Sequence, residues 1–101
     1  MPTELTGSEK RQLRALAQKL DAHLKVGRNG VSAQFIASTN EMLEQHELIK
    51  VRFTEFKDER KELAAQLAEK TDSVLVASIG HVIALYRRPA DPGKSKIRLR
   101  K

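Results

Sequence analysis

The chain contains no cysteine and no tryptophan among its 101 residues. The lack of cysteine excludes disulfides, thiolate metal sites and a cysteine nucleophile, so a metal would have to be bound by histidine and carboxylates. Apolar runs are short, and none approaches the roughly 18 residues that cross a membrane. Residues 1–4 also lack the basic and then apolar pattern that begins a signal peptide. We therefore expect a cytoplasmic protein that makes no membrane contact.

Aromatic residues are scarce, and two of the four, Phe35 and Phe53, fall on apolar faces where we expect them in the core. Stacking on bases is therefore not expected to be the main mode of any nucleic-acid recognition. The three histidines, His23, His46 and His81, are too far apart for a metal-binding motif. The sequence contains no Ser-His-Asp order, phosphate-binding P-loop or paired buried carboxylates. We expect no metal, no cofactor, no small-molecule substrate and no catalysis.

Charge is abundant and unevenly distributed, with a formal net charge of +6. Residues 87–101 hold seven basic residues against Asp91, and residues 10–28 hold six against Asp21. Residues 29–86 hold nine acidic and six basic residues. Such segregation predicts a positive and a negative side, which is typical of proteins that bind polyanions. A single basic run would more simply be a solvated helix or tail, but here two runs flank a glycine-containing segment.

Hydrophobic periodicity predicts three helices. The first begins at Ser8 as N-cap and buries the stripe Leu13, Leu16, Ala17 and Leu20, which leaves its basic residues on another side. The second follows Ser32, with Phe35, Ile36, Thr39 and Leu43 on its apolar side. The third is expected to be capped by Asp58. The outer faces of the second and third helices are acidic, so we expect them to be scaffold.

Alternating or apolar runs predict strands at residues 23–26, 48–53, 74–79 and 82–86, with a type II′ turn at Gly80-His81 joining the last two. The order α-β-α-β-α-β-β predicts an α/β fold: a two-layer sandwich with a four-stranded mixed sheet and helices chiefly on one face. We expect a monomer with a polar lead at residues 1–7, one domain at residues 8–88 and a flexible basic tail at residues 89–101.

The segment from Lys25 to Ser32 is the strongest candidate site. Gly27 and Gly30 frame Arg28 and Asn29 just before a helix, and glycines allow a ligand's backbone to approach closely. The unpaired amides of the helix start, near the Ser32 cap, favour phosphate. One well-known RNA-binding module clamps a strand in this way. Asn-Gly is also a type I′ hairpin signal, but the residues that follow have helical rather than strand spacing.

The predicted RNA contacts comprise this segment and neighbouring cations. The primary candidates are Gly27, Arg28, Asn29, Gly30, Ser32, Lys25, Lys10, Arg11 and Arg14. The secondary candidates are Lys50, Arg52, Arg87 and Arg88. Lys50 and Arg52 face away from the predicted core, where they would either contact RNA or protect the sheet against aggregation.

Several motifs together resemble the CRM domain (chloroplast RNA splicing and ribosome maturation), in particular its small bacterial YhbY-like members. They are residues 16–17, 27–32, 46–51 and 79–87, in the family's order and spacing. The resemblance implies an RNA-binding protein associated with precursors of the large ribosomal subunit. It also implies a fold similar to the C-terminal domain of the third bacterial initiation factor, with the glycine loop at residues 27–30 contacting RNA. Residues 21–25 depart from the family's usual apolar strand.

A different functional class is also compatible with the composition. The acidic helices could dock on a protein partner while the basic tail associates loosely with any polyanion. DNA binding is disfavoured, because no helix carries basic and amide residues together on one exposed face.

Overall fold

The computed structural model describes residues 5–89 and residue 97. Three helices and four strands alternate in the predicted order. They are α1 (Gly7–Gln18), β1 (Leu24–Val26), α2 (Ala33–His46), β2 (Leu48–Phe53), α3 (Arg60–Lys70), β3 (Val74–Ile79) and β4 (Val82–Tyr86). The predicted basic tail lies outside the described residues except for Pro89 and Ile97. Within the described part of the chain, every helix is too short or too polar to cross a membrane.

The sheet is mixed, with the strand order β1-β2-β4-β3. β1 pairs parallel with β2, whereas β4 runs antiparallel to both of its neighbours. Gly80 takes a φ of +58° and Ile79 pairs with Val82, so a two-residue turn closes the β3–β4 hairpin as predicted. A register shift between Leu75 and Ala77 interrupts the β3 ladder. The α/β class, the element order and the mixed sheet are therefore confirmed.

The helices cover both faces of the sheet. Against one face, α2 and α3 bury a core that includes Leu43, Ile49, Phe53 and Leu67. Against the other face, α1 buries Leu13 and Ala17 with a smaller cluster, which comprises Leu48, Val76, Ala84 and Tyr86. Two of the three helices thus share a face, and α1 adds a partial third layer to the predicted two-layer arrangement.

Two helix starts differ from the sequence prediction. α1 begins two residues earlier than a Ser8 cap predicts, because Thr6 is its N-cap and forms a reciprocal capping box with Glu9. α3 is preceded by Glu59 rather than by the expected Asp58, and no side chain caps it. Leu16, predicted to be buried in α1, is 39% exposed. It lies at the edge of the buried stripe.

Candidate functional site

The glycine segment forms an exposed turn at the end of β1. The Gly30 amide donates to the Gly27 carbonyl at 3.0 Å, which places Arg28 and Asn29 at the two central positions, both exposed. Gly30 has a φ of +62°, a conformation that other residues rarely adopt. Gly27 does not have positive φ, contrary to expectation, and a Cβ there would meet no atom within 4 Å. The turn itself therefore requires glycine only at position 30.

The turn leads directly into the N-terminus of α2. Ser32 is the predicted N-cap, and its hydroxyl accepts from the Phe35 amide at 3.1 Å. The first intrahelical bond runs from the Ile36 amide to Ser32, so the amides of Ala33 and Gln34 have no acceptor within the helix. A shallow cavity of about 320 Å³ opens here, lined by Lys25, Gly27, Arg28, Asn29, Gly30, Ser32, Gln34, Phe35 and Ser38.

The strand beneath the turn is firmly held. The carbonyl of Val26, the last residue of β1, accepts from the Thr54 amide at 3.1 Å and from the Thr54 hydroxyl at 2.9 Å. The Glu55 amide donates to the same oxygen at 3.2 Å. Because Val26 is fully buried, these bonds fix the point at which the chain leaves the sheet. The turn is therefore presented from a rigid base.

Three cations from β1 and β2 lie on the sheet face that α1 partly covers. Lys25 pairs in register with Arg52, and adjacent residues in parallel strands point to the same side. Lys50 lies two residues before Arg52 and therefore shares this face, about 7 Å away along the strand. Lys25 and Arg52 are exposed, while Lys50 is half-buried and donates to the Leu20 carbonyl at 3.0 Å.

The basic residues of α1 extend this face toward the far edge of the sheet. Arg14 and Lys50 line the same groove of about 340 Å³. The Nε of Arg14 donates at 2.7 Å to the carbonyl of Val76 on β3, the edge strand opposite β1. Lys10 and Arg11 precede Arg14 by one turn of the helix and lie on its flank. Arg14 thus lies on the same face as Lys25 and Lys50, but it is not adjacent to the turn, and the contacts of Lys10 and Arg11 with RNA stay predictions.

Arg87 and Arg88 make internal contacts. The Arg87 guanidinium donates to the Asn40 side chain at 2.7 Å, to the Thr71 carbonyl at 2.8 Å and to the Asn40 carbonyl at 3.1 Å. This joins the end of β4 to α2 and to the end of α3, so Arg87 has a structural role, and its contact with RNA stays a prediction. Arg88 forms a 3.4 Å ion pair with the buried carboxylate of Glu9 and is half-exposed.

Two of the three histidines meet beside this face. The ring centroids of His23 and His46 are 4.8 Å apart, and the Lys50 amide donates to Nδ1 of His23 at 3.2 Å. Burial, followed by the nearby His46, lowers the pKa of His23, and Asp21 only partly opposes this. The described residues contain no group of three or more side chains suited to a metal ion. The His23 amide also donates to the Lys50 carbonyl at 2.9 Å, so His23 extends the β1–β2 pairing at its start.

The sequence prediction overlooked Phe56, which contacts the turn. A Cβ built on Gly30 would lie 3.4 Å from Cε2 of Phe56, yet Phe56 is 41% exposed. Its φ of +56° is unusual for a bulky residue. The only signal in the sequence was an aromatic residue within a polar loop, and the pairing of β1 with β2 that brings it to the turn is not a local property.

Comparison with known proteins identifies the family of the chain. The profile of the CRS1/YhbY (CRM) domain matches residues 5–87. A Pseudomonas aeruginosa protein named a probable RNA-binding protein is 34% identical over 92 residues, which cover 90% of this chain and 88% of that protein. The probable RNA-binding protein YqeI of Bacillus subtilis is 38% identical over 84 residues, which cover 82% and 88% of the two chains.

A solved structure shows the same fold. The solution structure of a Staphylococcus aureus protein, described as a candidate RNA-binding protein, superposes with a TM-score of 0.81 at 39% identity. The match covers 96% of this chain and all of that one. Its profile match, its relatives and its fold together show that the chain belongs to the CRS1/YhbY (CRM) domain family.

Proposed function

We propose that this chain binds RNA through the exposed Gly27–Gly30 turn and the basic face beside it. The observation that carries the proposal is that an exposed turn, an arginine and the amide end of a 14-residue helix line one cavity. The unpaired amides and the helix dipole favour an anion there, and the Arg28 guanidinium offers a fork of donors that matches a phosphate. A nucleic-acid backbone supplies phosphates at regular intervals. The names of the relatives support RNA as the nucleic acid that supplies these phosphates.

The footprint would continue across the sheet face. Lys25 and Arg52 are adjacent and exposed, and Lys50 with Arg14 lines the next groove. These cations, spaced along one face, would neutralise successive phosphates of a strand that begins at the turn. Because the contacts are to phosphates, sequence specificity is expected to be modest.

The target we propose is ribosomal RNA in precursors of the large ribosomal subunit, where the protein would act as an assembly factor. This part rests on the resemblance to the YhbY-like members of the family. The concentration of cations on one face is consistent with it, because a folded ribosomal RNA presents dense phosphates to a small domain.

Binding of a ribosomal RNA fragment at increasing salt tests the electrostatic mode. If about five phosphates are neutralised, log K falls with log salt at a slope of roughly −4. Arg28→Ala is expected to weaken binding by about 1–3 kcal/mol, and Arg28→Lys should recover only part of this because it restores the charge without the fork. A slope near zero, or an unchanged affinity in Arg28→Ala, contradicts the proposal.

Sedimentation of a cell extract tests the target. Co-migration with large-subunit particles that persists at moderate salt supports an assembly factor. A protein that remains at the top of the gradient supports instead the alternative of a protein-interaction module. Arg28→Ala serves as the control, because this variant should dissociate from the particles at a salt concentration at which the wild type remains bound.

A further inference from the structure

Phe56 places an exposed aromatic ring beside the glycine turn. Its Cδ2, Cε2 and Cζ atoms lie 3.4–3.8 Å from where a Cβ on Gly30 would be. The residue is nevertheless 41% exposed, so part of it is accessible to a ligand. Phe35 lines the cavity at the turn, but it is partly buried and packs against the core of α2 and α3, whereas Phe56 lines a separate shallow pocket formed by its own loop, residues 54–59. Phe56 is therefore the aromatic side chain at the turn that has a free surface.

The backbone holds Phe56 in this position at a cost. A φ of +56° is disfavoured for a side chain with a Cβ, and such residues concentrate at functional sites. The conformation is maintained from both sides: Thr54 and Glu55 donate to Val26, and the Glu59 amide donates to the Phe56 carbonyl at 3.1 Å. Core packing does not explain this positive φ, because the ring is partly exposed and a fully buried ring would gain more hydrophobic free energy.

The charges around the ring differ on its two sides. The turn contributes Arg28 and the neighbouring Lys25. The loop that carries Phe56 contributes the exposed carboxylates of Glu55, Asp58 and Glu59 against one exposed ammonium, that of Lys57, and is acidic on balance. A phosphate is attracted to the first side and repelled from the second. A nucleobase is neutral, and its amino groups are donors to carboxylates. The arrangement is thus suited to a nucleotide whose phosphate lies at the turn and whose base lies toward the loop.

We propose that the Phe56 ring is a stacking platform for the base of a nucleotide whose phosphate is bound at the Gly27–Gly30 turn. This inference rests on the proposed RNA-binding function and adds a base contact to it. Stacking on an aromatic ring is sequence-tolerant, because every base has a π-face. The platform would distinguish a single-stranded or unstacked nucleotide from one within a duplex, whose bases are already stacked.

The test compares two probes of equal length, a single-stranded oligouridylate and a fully abasic ribose-phosphate strand. Wild-type protein is expected to bind the first more tightly. Phe56→Leu keeps an apolar contact with Gly30 but removes the π-face, so it should lose about five- to 150-fold in affinity for oligouridylate. Its affinity for the abasic strand should be unchanged.

Phe56→Trp supplies an independent readout. It would be the only tryptophan in the chain, so its fluorescence reports on this position alone. We expect affinity equal to or above wild type, and quenching by oligouridylate but not by the abasic strand. Equal losses for both probes in Phe56→Leu, or no change with either, would overturn the platform while leaving the phosphate site intact. If the wild type binds neither probe, both the proposed RNA-binding function and the stacking platform are overturned.

Discussion

The two glycines of the turn have separate roles. Gly30 is required by the fold, because it takes positive φ and Phe56 packs against it. Gly27 has ordinary backbone and open space where a Cβ would point, so the folded chain does not require it. If a phosphate binds close to the backbone of the turn, as proposed, the missing side chain of Gly27 leaves room for it. The fold of the unbound protein gives no such reason for a glycine at this position. The spacing Gly-x-x-Gly indicated both positions, but a local pattern cannot distinguish a conformational glycine from one that leaves room for a ligand.

Alanine at each position should separate these roles. Gly30→Ala is expected to lower the free energy of unfolding by about 1–2 kcal/mol, because alanine is strained at positive φ. Gly27→Ala should leave stability at or slightly above wild type, since it only restricts the unfolded chain. It should nevertheless weaken RNA binding, because its methyl group occupies the approach to the turn. Urea unfolding and RNA titration measure the two effects, and a Gly27→Ala protein with full affinity would argue against close backbone contact.

His23 connects protonation to the β1–β2 ladder. Its Nδ1 accepts from the Lys50 amide, so this nitrogen must be unprotonated in the folded protein. Burial and the facing His46 lower the pKa of His23 below its ordinary value of 6.5, as does Lys50, while Asp21 acts in the opposite direction. The unfolded chain therefore binds a proton at a higher pH than the folded chain. The stability that neutral His23 contributes at pH 7 is therefore lost as the pH falls below about 6.5 toward the folded-state pKa of His23.

His23→Asn tests this linkage. The amide oxygen of asparagine can accept from the Lys50 amide in place of Nδ1, but it does not titrate. We expect the variant to unfold with a shallower dependence of stability on pH between about 7 and 5 than the wild type. Thermal unfolding across that pH range measures the stability of both proteins. Subtracting one profile from the other largely cancels the titration of groups that the two proteins share. Parallel pH profiles would show that His23 is not the linked group.

At the scale of elements, strands were more predictable than helix ends. The bounds of β2, β3 and β4 agree with the sequence prediction, because alternation and the Gly80 turn are local signals. The start of α1 was wrong because Thr6 and Ser8 are both plausible caps, and the choice depends on Glu9 reaching back to the Thr6 amide. The internal contacts of Arg87 were missed for a related reason. It belongs to a basic run in sequence, while its acceptors, Asn40 and Thr71, are distant along the chain.

Arg87 should therefore matter for stability more than for binding. Removal of its guanidinium leaves the Asn40 and Thr71 acceptors without their charged donor, and Arg87→Ala is expected to cost about 2–3 kcal/mol of unfolding free energy. Arg88→Ala is the matched control. It removes a half-exposed side chain that pairs with Glu9 at 3.4 Å and hydrogen-bonds Tyr86, and because the Arg88 guanidinium is open to solvent its loss should cost less. Equal urea midpoints for the two variants would contradict the structural role of Arg87.

At the scale of the whole molecule, the sequence indicated segregated charge but not which surfaces would share it. The strand pattern showed that Lys50 and Arg52 point away from the core of α2 and α3, but not that α1 would pack on that same face. The register of β1 with β2 then places Lys25 beside Arg52. The result is one basic face that runs from the turn toward Arg14. This depends on strand order, which no local segment encodes.

That face yields a prediction that a local phosphate site alone would not. Arg52 lies on the proposed path of the strand, and Lys61 is an exposed cation on α3, which covers the opposite face of the sheet. Both Arg52→Ala and Lys61→Ala remove one positive charge, so net charge changes equally. If phosphates track the basic face, Arg52→Ala should reduce the magnitude of the slope of log K against log salt by about 0.7–0.9. Lys61→Ala should leave the slope unchanged. Equal reductions in both variants would mean that RNA responds to total charge rather than to the face formed by β1, β2 and α1.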